Sequence, residues 1–143
     1  MSIALKIFVL AIFLLLFYAS ITDFLKREIK NKCVLSILIF SAGIAFCLGS
    51  FNLFIPGLTL FFGFLLTLIG VIGAGDIKLI VALLIGMPEA KFELFFFATS
   101  CLGAPIAIIV FFISRYILKT NSDTVPFGIA ISIGYITAMS GVF

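Results

Sequence analysis

Residues 33–75 read CVLSILIFSAGIAFCLGSFNLFIPGLTLFFGFLLTLIGVIGAG, 43 positions without one charged side chain. A helix that crosses the hydrocarbon core of a bilayer needs roughly 20 apolar residues. The run therefore has the length of two such helices in succession. Gly49-Ser50-Phe51-Asn52 divides it, being made of residue types that favour turns. On its amino side stands the most charged part of the chain, Asp23 to Lys32, with six of the fifteen charged residues. On its carboxyl side stand Asp76 and Lys78. Water-facing charge thus brackets a membrane-sized pair of helices.

The same pattern continues outward. Further uncharged runs cover 7–22, 79–88, 94–114 and 124–143, with 16, 10, 21 and 20 residues. Together these runs predict an all-α integral membrane protein, one domain over residues 1–143. Its six helices are expected near 3–22, 33–49, 52–72, 77–88, 93–116 and 125–142. Composition agrees: 64% of the chain is hydrophobic and 10% charged, against about half and a quarter in soluble proteins. A soluble enzyme is excluded. So is a nucleic-acid partner, because the net charge is only +3 and four of the nine basic residues share one loop. Residues 1–22 resemble a secretory leader in outline, but a basic region of one lysine and so long an apolar stretch favour a retained first helix. There is no histidine, and Cys33, Cys47 and Cys101 form no C-x-x-C pair. No metal or cofactor is expected, and the cysteines read as small apolar side chains.

Basic residues set orientation across a membrane. With the Asp23–Lys32 loop in the cytoplasm, that side carries Lys26, Arg27, Lys30, Lys32, Lys78, Arg115 and Lys119, against Lys6 and Lys91 opposite. Both termini are then expected outside the cytoplasm. The fourth helix is too short: residues 77–88 reach about 18 Å against a core of about 30 Å. The shortfall favours Gly73-Ala74-Gly75-Asp76 dipping below the surface as non-helical backbone, beside protein or a water-filled cavity.

Ionisable groups at the edge of a span are functional candidates. Asp23 ends the first helix and Asp76 begins the fourth, both on the same expected face. Each has a plain alternative: Asp23 as an interfacial charge near Lys26 or Arg27, and Asp76 as a helix cap or a partner of Lys78. Glu28 reads as a solvated loop charge, and Asp123 as a cap for the sixth helix. Taken together, two acids without histidine or metal suggest an aspartyl dyad sharing a proton and a water. One acid would serve as general base and the other as general acid.

These residues resemble the type IV prepilin peptidases, the GxGD class of intramembrane aspartyl proteases. Gly73-Ala74-Gly75-Asp76-Ile77-Lys78 is similar to that family's G-x-G-D-x-K motif. Asp23 followed by Arg27, Ile29 and Asn31 is similar to its first catalytic segment, an acid, then Arg, then Ile-Pro-Asn. Val125-Pro126-Phe127-Gly128 resembles the motif at the start of its last helix. The resemblance runs in order along the chain. It implies a catalytic pair, Asp23 and Asp76, that cuts pilin-like precursors at the cytoplasmic face of a bacterial or archaeal membrane. The cut would fall after a glycine, between a short basic leader and an apolar helix lying in the bilayer. Gly73 and Gly75 would allow close approach near the dyad or simply break a helix, and Pro126 would start the sixth helix. Two departures stand out. Lys30 occupies the family's proline position, and no C-x-x-C region accompanies the peptidase motifs. The likeness is therefore to the short, peptidase-only branch that includes tight-adherence pilus peptidases, with no N-methylation expected. The rival readings are a small proton- or ion-coupled transporter using the same acids, and a non-catalytic subunit of a pilus or secretion system.

Overall fold

The computed structural model describes residues 3–26, 28–70, 72–116 and 127–140 of the chain, and among these every element is helical. The helices are α1 Ile3–Lys26, α2 Asn31–Leu48, α3 Phe54–Leu68, α4 Ala74–Ile85, α5 Phe92–Ala98, α6 Ala104–Tyr116 and α7 Phe127–Met139. A 3-10 turn, Glu89–Lys91, leads into α5, and a π-helical turn, Thr99–Gly103, joins α5 to α6 without a break. The α5–α6 segment is thus one rod, and the described residues form six helical segments, the number that the uncharged runs predict. Three are long and apolar enough to cross a membrane unaided: α1, α2 and the rod at Glu89–Ile113. At 15, 12 and 13 residues, α3, α4 and α7 are shorter. The chain is a multi-pass helical membrane protein.

Local chemistry sets the helix ends. Gly49 closes α2 in the left-handed conformation (φ 65°), its N–H donating to Phe46 and that of Ser50 to Ala45. This is the Schellman arrangement, which glycine adopts without steric cost. The Asn52 side chain accepts the Phe54 N–H at 2.8 Å and so helps start α3. The π turn was not anticipated from the sequence. Its cause is Pro105, which cannot donate to the carbonyl one turn back and whose ring crowds that carbonyl.

Packing follows from which faces are small or continuous. In α1 the buried positions include Leu5, Val9, Ile12, Leu16, Ala19 and Asp23. Steps of four and three keep them on one seam of a helix, while Ile7, Leu10, Leu14 and Phe17 look outward. Asp23 therefore ends the interior stripe rather than the lipid-facing one. α4 packs between α2, α3 and α7; α7 packs against α1, α4, α5, α6 and the π turn. Small residues let these backbones approach, as membrane helices require. A Cβ on Gly86 would lie 2.6 Å from the Ser41 carbonyl oxygen, and one on Gly103 would lie 2.6 Å from the Ala130 backbone.

The short connections make successive helices run up and down. One end of the bundle carries the 49–53 turn and the 86–91 connection, joined by a hydrogen bond from the Asn52 amide to the Glu89 carboxylate. The other end carries residues 28–30 before α2, residues 72–73 before α4, and the start of α7. At that end two expectations need correction. The helix expected at 77–88 occupies 74–85, because Gly73 is extended (φ −68°, ψ 141°) and the helix begins directly after it. Consequently Ala74, Gly75 and Asp76 form its first turn rather than a non-helical dip. The irregular backbone lies upstream, where Gly70 takes the left-handed conformation (φ 81°) that neither Gly73 nor Gly75 adopts.

Candidate active site

α1 carries Asp23 into the bundle in its last turn, where the side chain is 6% exposed. A carboxylate placed there needs a donor. The donor is the first turn of α7: the Gly128 N–H reaches Asp23 Oδ2 at 2.8 Å. N–H groups in the first turn of a helix have no intrahelical acceptor, and the helix dipole favours an anion beside them. A Cβ on Gly128 would lie 2.9 Å from the same oxygen and would make the carboxylate shift. A polar ladder fixes α7 against α1 just above. Ser132 donates to the Gly128 carbonyl at 2.8 Å, and the Ser20 hydroxyl lies 2.9 Å from that of Ser132.

Asp76 sits in the first turn of α4 and is half-buried. Its carboxylate lies beside the Gly73 backbone and within electrostatic reach of Asp23. It stands at the third helical position, where an acid can cap the backbone N–H of the residue that precedes the helix. Gly73 and Gly75 serve close approach rather than unusual torsion. A Cβ on Gly73 would crowd Asp76 Oδ2 at 2.9 Å, and one on Gly75 would press on Ile29 at 3.3 Å.

Both acids line one polar pocket of about 460 Å³ at this end of the bundle, together with Lys78, Asn31, Gly73, Gly75 and the 28–30 loop. The pocket is open enough for water and brings together residues 53 positions apart in sequence. Glu28, read from the sequence as a solvated loop charge, also lines it; only its place beside Ile29 and Asn31 hinted at this. Arg27 and Pro126, singled out in the motifs, lie outside the described residues, as do Asp123 and Val125. Phe127 is half-buried and lines a neighbouring apolar groove. Lys30, at the family's proline position, has φ −66° and ψ 130°. Those are torsions that proline itself would adopt. Its ammonium donates to the Tyr18 hydroxyl at 3.0 Å, tying the loop to α1. Among the described residues no group of three or more His, Cys, Asp or Glu side chains could hold a metal.

Two carboxylates in a water-accessible pocket can activate water by dividing general base and general acid work. Fold and site together define a multi-pass membrane protein with paired acids at one end of its bundle. The chain belongs to the type IV leader peptidase family, whose model matches residues 10–108. Most of the chain is covered, and both Asp23 and Asp76 fall inside the match. Compared with curated proteins and with solved structures, the chain has no significant match. Family membership places it among type IV leader peptidase-like proteases.

Proposed function

We propose that the protein is a membrane aspartyl endopeptidase that removes the short basic leader from type IV pilin-like precursors at the cytoplasmic face. The observation that carries this reading is the shared pocket: Asp23 and Asp76, 53 positions apart in sequence, line one cavity that water can enter. The seven-to-two distribution of basic residues favours the cytoplasm for that end of the bundle.

In the proposed reaction, Asp23 is the base, because the Gly128 N–H and the α7 dipole favour its charged form. It takes a proton from a water lying between the two acids. The oxygen of that water attacks the carbonyl carbon of the scissile peptide. Asp76, carrying the proton the pair shares, donates it to the departing nitrogen as the C–N bond breaks. The products are a free carboxyl on the leader and a free amine on the mature chain. The proton gained by Asp23 restores the shared proton of the pair. Lys78 and Asn31 border the cavity, and Glu28 adds a third carboxylate facing a basic leader.

The test is cleavage of a co-expressed pilin-like precursor, followed as a gel shift. Asp23→Asn and Asp76→Asn are each expected to lower the rate by at least about a hundredfold, the usual worth of a positioned acid or base. Both variants should insert and purify normally. Ion or solute flux in proteoliposomes without proteolysis would instead favour the transporter reading.

A further inference from the structure

α3 is apolar on every side, yet only Pro56 and Gly63 are buried in it. Its main packing partner is α4, approached so closely that a Cβ on Gly63 would lie 2.6 Å from the Ile77 side chain. The opposite wall, formed by α5 and the π turn, stands away from it. Between them runs an apolar groove of about 410 Å³. From Ile55 to Leu66 it follows α3 over some 16 Å, at the usual rise per residue. Leu58, Phe62 and Leu66 line one side, Ile77 the floor, and Ser100 and Phe127 the other side.

The groove and the polar pocket are lined by neighbouring residues of the same segments. Three neighbouring pairs in sequence divide between them. Gly73 and Asp76 line the pocket, and Gly128 binds Asp23, while Ile72, Ile77 and Phe127 line the groove. An apolar lining and a charged one thus lie side by side near the two acids. On the charged side, three carboxylates face two lysines.

Resting on the peptidase reading, we propose that this groove receives the first turns of the substrate's apolar helix, which lies against α3 and completes the bundle beside α5. The occupant that fits is a helix whose apolar part ends in a basic, extended segment, because the lining switches character where such a chain does. Its backbone leaves the groove at Ile77 and Phe127 and crosses the dyad there. The slot between α3 and the π turn, rather than the lipid-facing side of α1 or α2, then sets which bond reaches the acids.

The experiment uses a synthetic precursor: a short lysine-containing leader, a glycine, and an apolar helix of membrane-spanning length with one cysteine near its start. The full-length protein, with Cys33, Cys47 and Cys101 replaced by alanine, carries Asp76→Asn and either Ser100→Cys or Leu66→Cys in the groove. The controls are Leu14→Cys and Ile39→Cys on outward faces. Disulfide trapping is expected at both groove positions at least about tenfold above the controls. Equal trapping at all four positions would overturn the groove and leave it a lipid surface. Cleavage of the precursor by the cysteine-replaced protein with Asp76 intact checks its fold and, separately, the peptidase reading. Cleavage without groove trapping sinks the docking site alone, whereas groove trapping without cleavage keeps the docking site and removes the peptidase. In a second arm, Ser100→Trp is expected to lower kcat/KM for the precursor about tenfold or more, since a filled groove denies a large side chain its burial. Leu14→Trp should stay within about twofold of the unaltered protein, and an unaffected Ser100→Trp would count against the proposal.

Discussion

Gly128 binds Asp23 through its backbone, so a single methyl group tests how tightly the acid is held. Gly128→Ala places a carbon where Asp23 Oδ2 has room only for the N–H contact. A misplaced catalytic group costs about ten- to a hundredfold in rate, and the loss should fall on kcat. Gly57→Ala, which meets nothing within 4 Å, should leave the rate unchanged. Two carboxylates that share a proton titrate as a pair. The rate should therefore fall at low pH, where the base is protonated, and again at high pH, where the shared proton is lost. A profile with one limb only would separate the two acids. Lys30→Pro suits the torsions already present but removes the bond to Tyr18; the expected outcome is a folded protein with a melting temperature close to that of the unaltered one, because the two effects oppose each other. Asp23 and Asp76 were legible as candidates because charge is rare in this chain. What no spacing showed was the third party, a backbone N–H of Gly128, or the turn of Glu28 toward the same cavity. Both depend on how α7 and the 28–30 loop pack, and packing between distant segments leaves no periodic trace.

At the scale of elements, charge marked where the helices stop, and the observed boundaries agree with the uncharged runs to within a few residues. The fourth helix shows the limit of that reading. Its predicted start followed Asp76, the charged residue, but backbone torsion decides where a helix begins, and Gly73 decided it three residues earlier. The π turn was likewise hidden behind an apolar run whose one signal was Pro105. α4 holds Asp76 in place through its neighbours, and Gly86 at its end packs tightly against Ser41 of α2. Gly86→Val should destabilise the protein by about 1–3 kcal/mol, the usual cost of overfilling a packed contact, seen as a lower melting temperature in detergent. A variant that melts unchanged would show that α2 and α4 are free to separate there.

At the scale of the molecule, the bundle has two unlike ends. One is closed by the Asn52–Glu89 bond, and the other opens into the cavity with the two acids. In the proposed orientation, which the distribution of basic residues favours, the open end faces the cytoplasm. A reporter fused after Phe143 should then be active only on the far side, and a cytoplasmic signal would reverse the assignment. The same end collects the segments that resemble prepilin peptidase motifs, which is why family and architecture were readable together while the groove beside α3 was not: an apolar wall has the same composition whether it faces lipid or a substrate. The central claim is that Asp23 and Asp76 act as one catalytic unit on a pilin-like precursor. It is tested most directly by reconstituting the purified protein with such a precursor and measuring cleavage by the unaltered protein, Asp23→Asn and Asp76→Asn. A processed product is expected from the first and intact precursor from both variants, each folded and inserted. A processed product from either variant would contradict it.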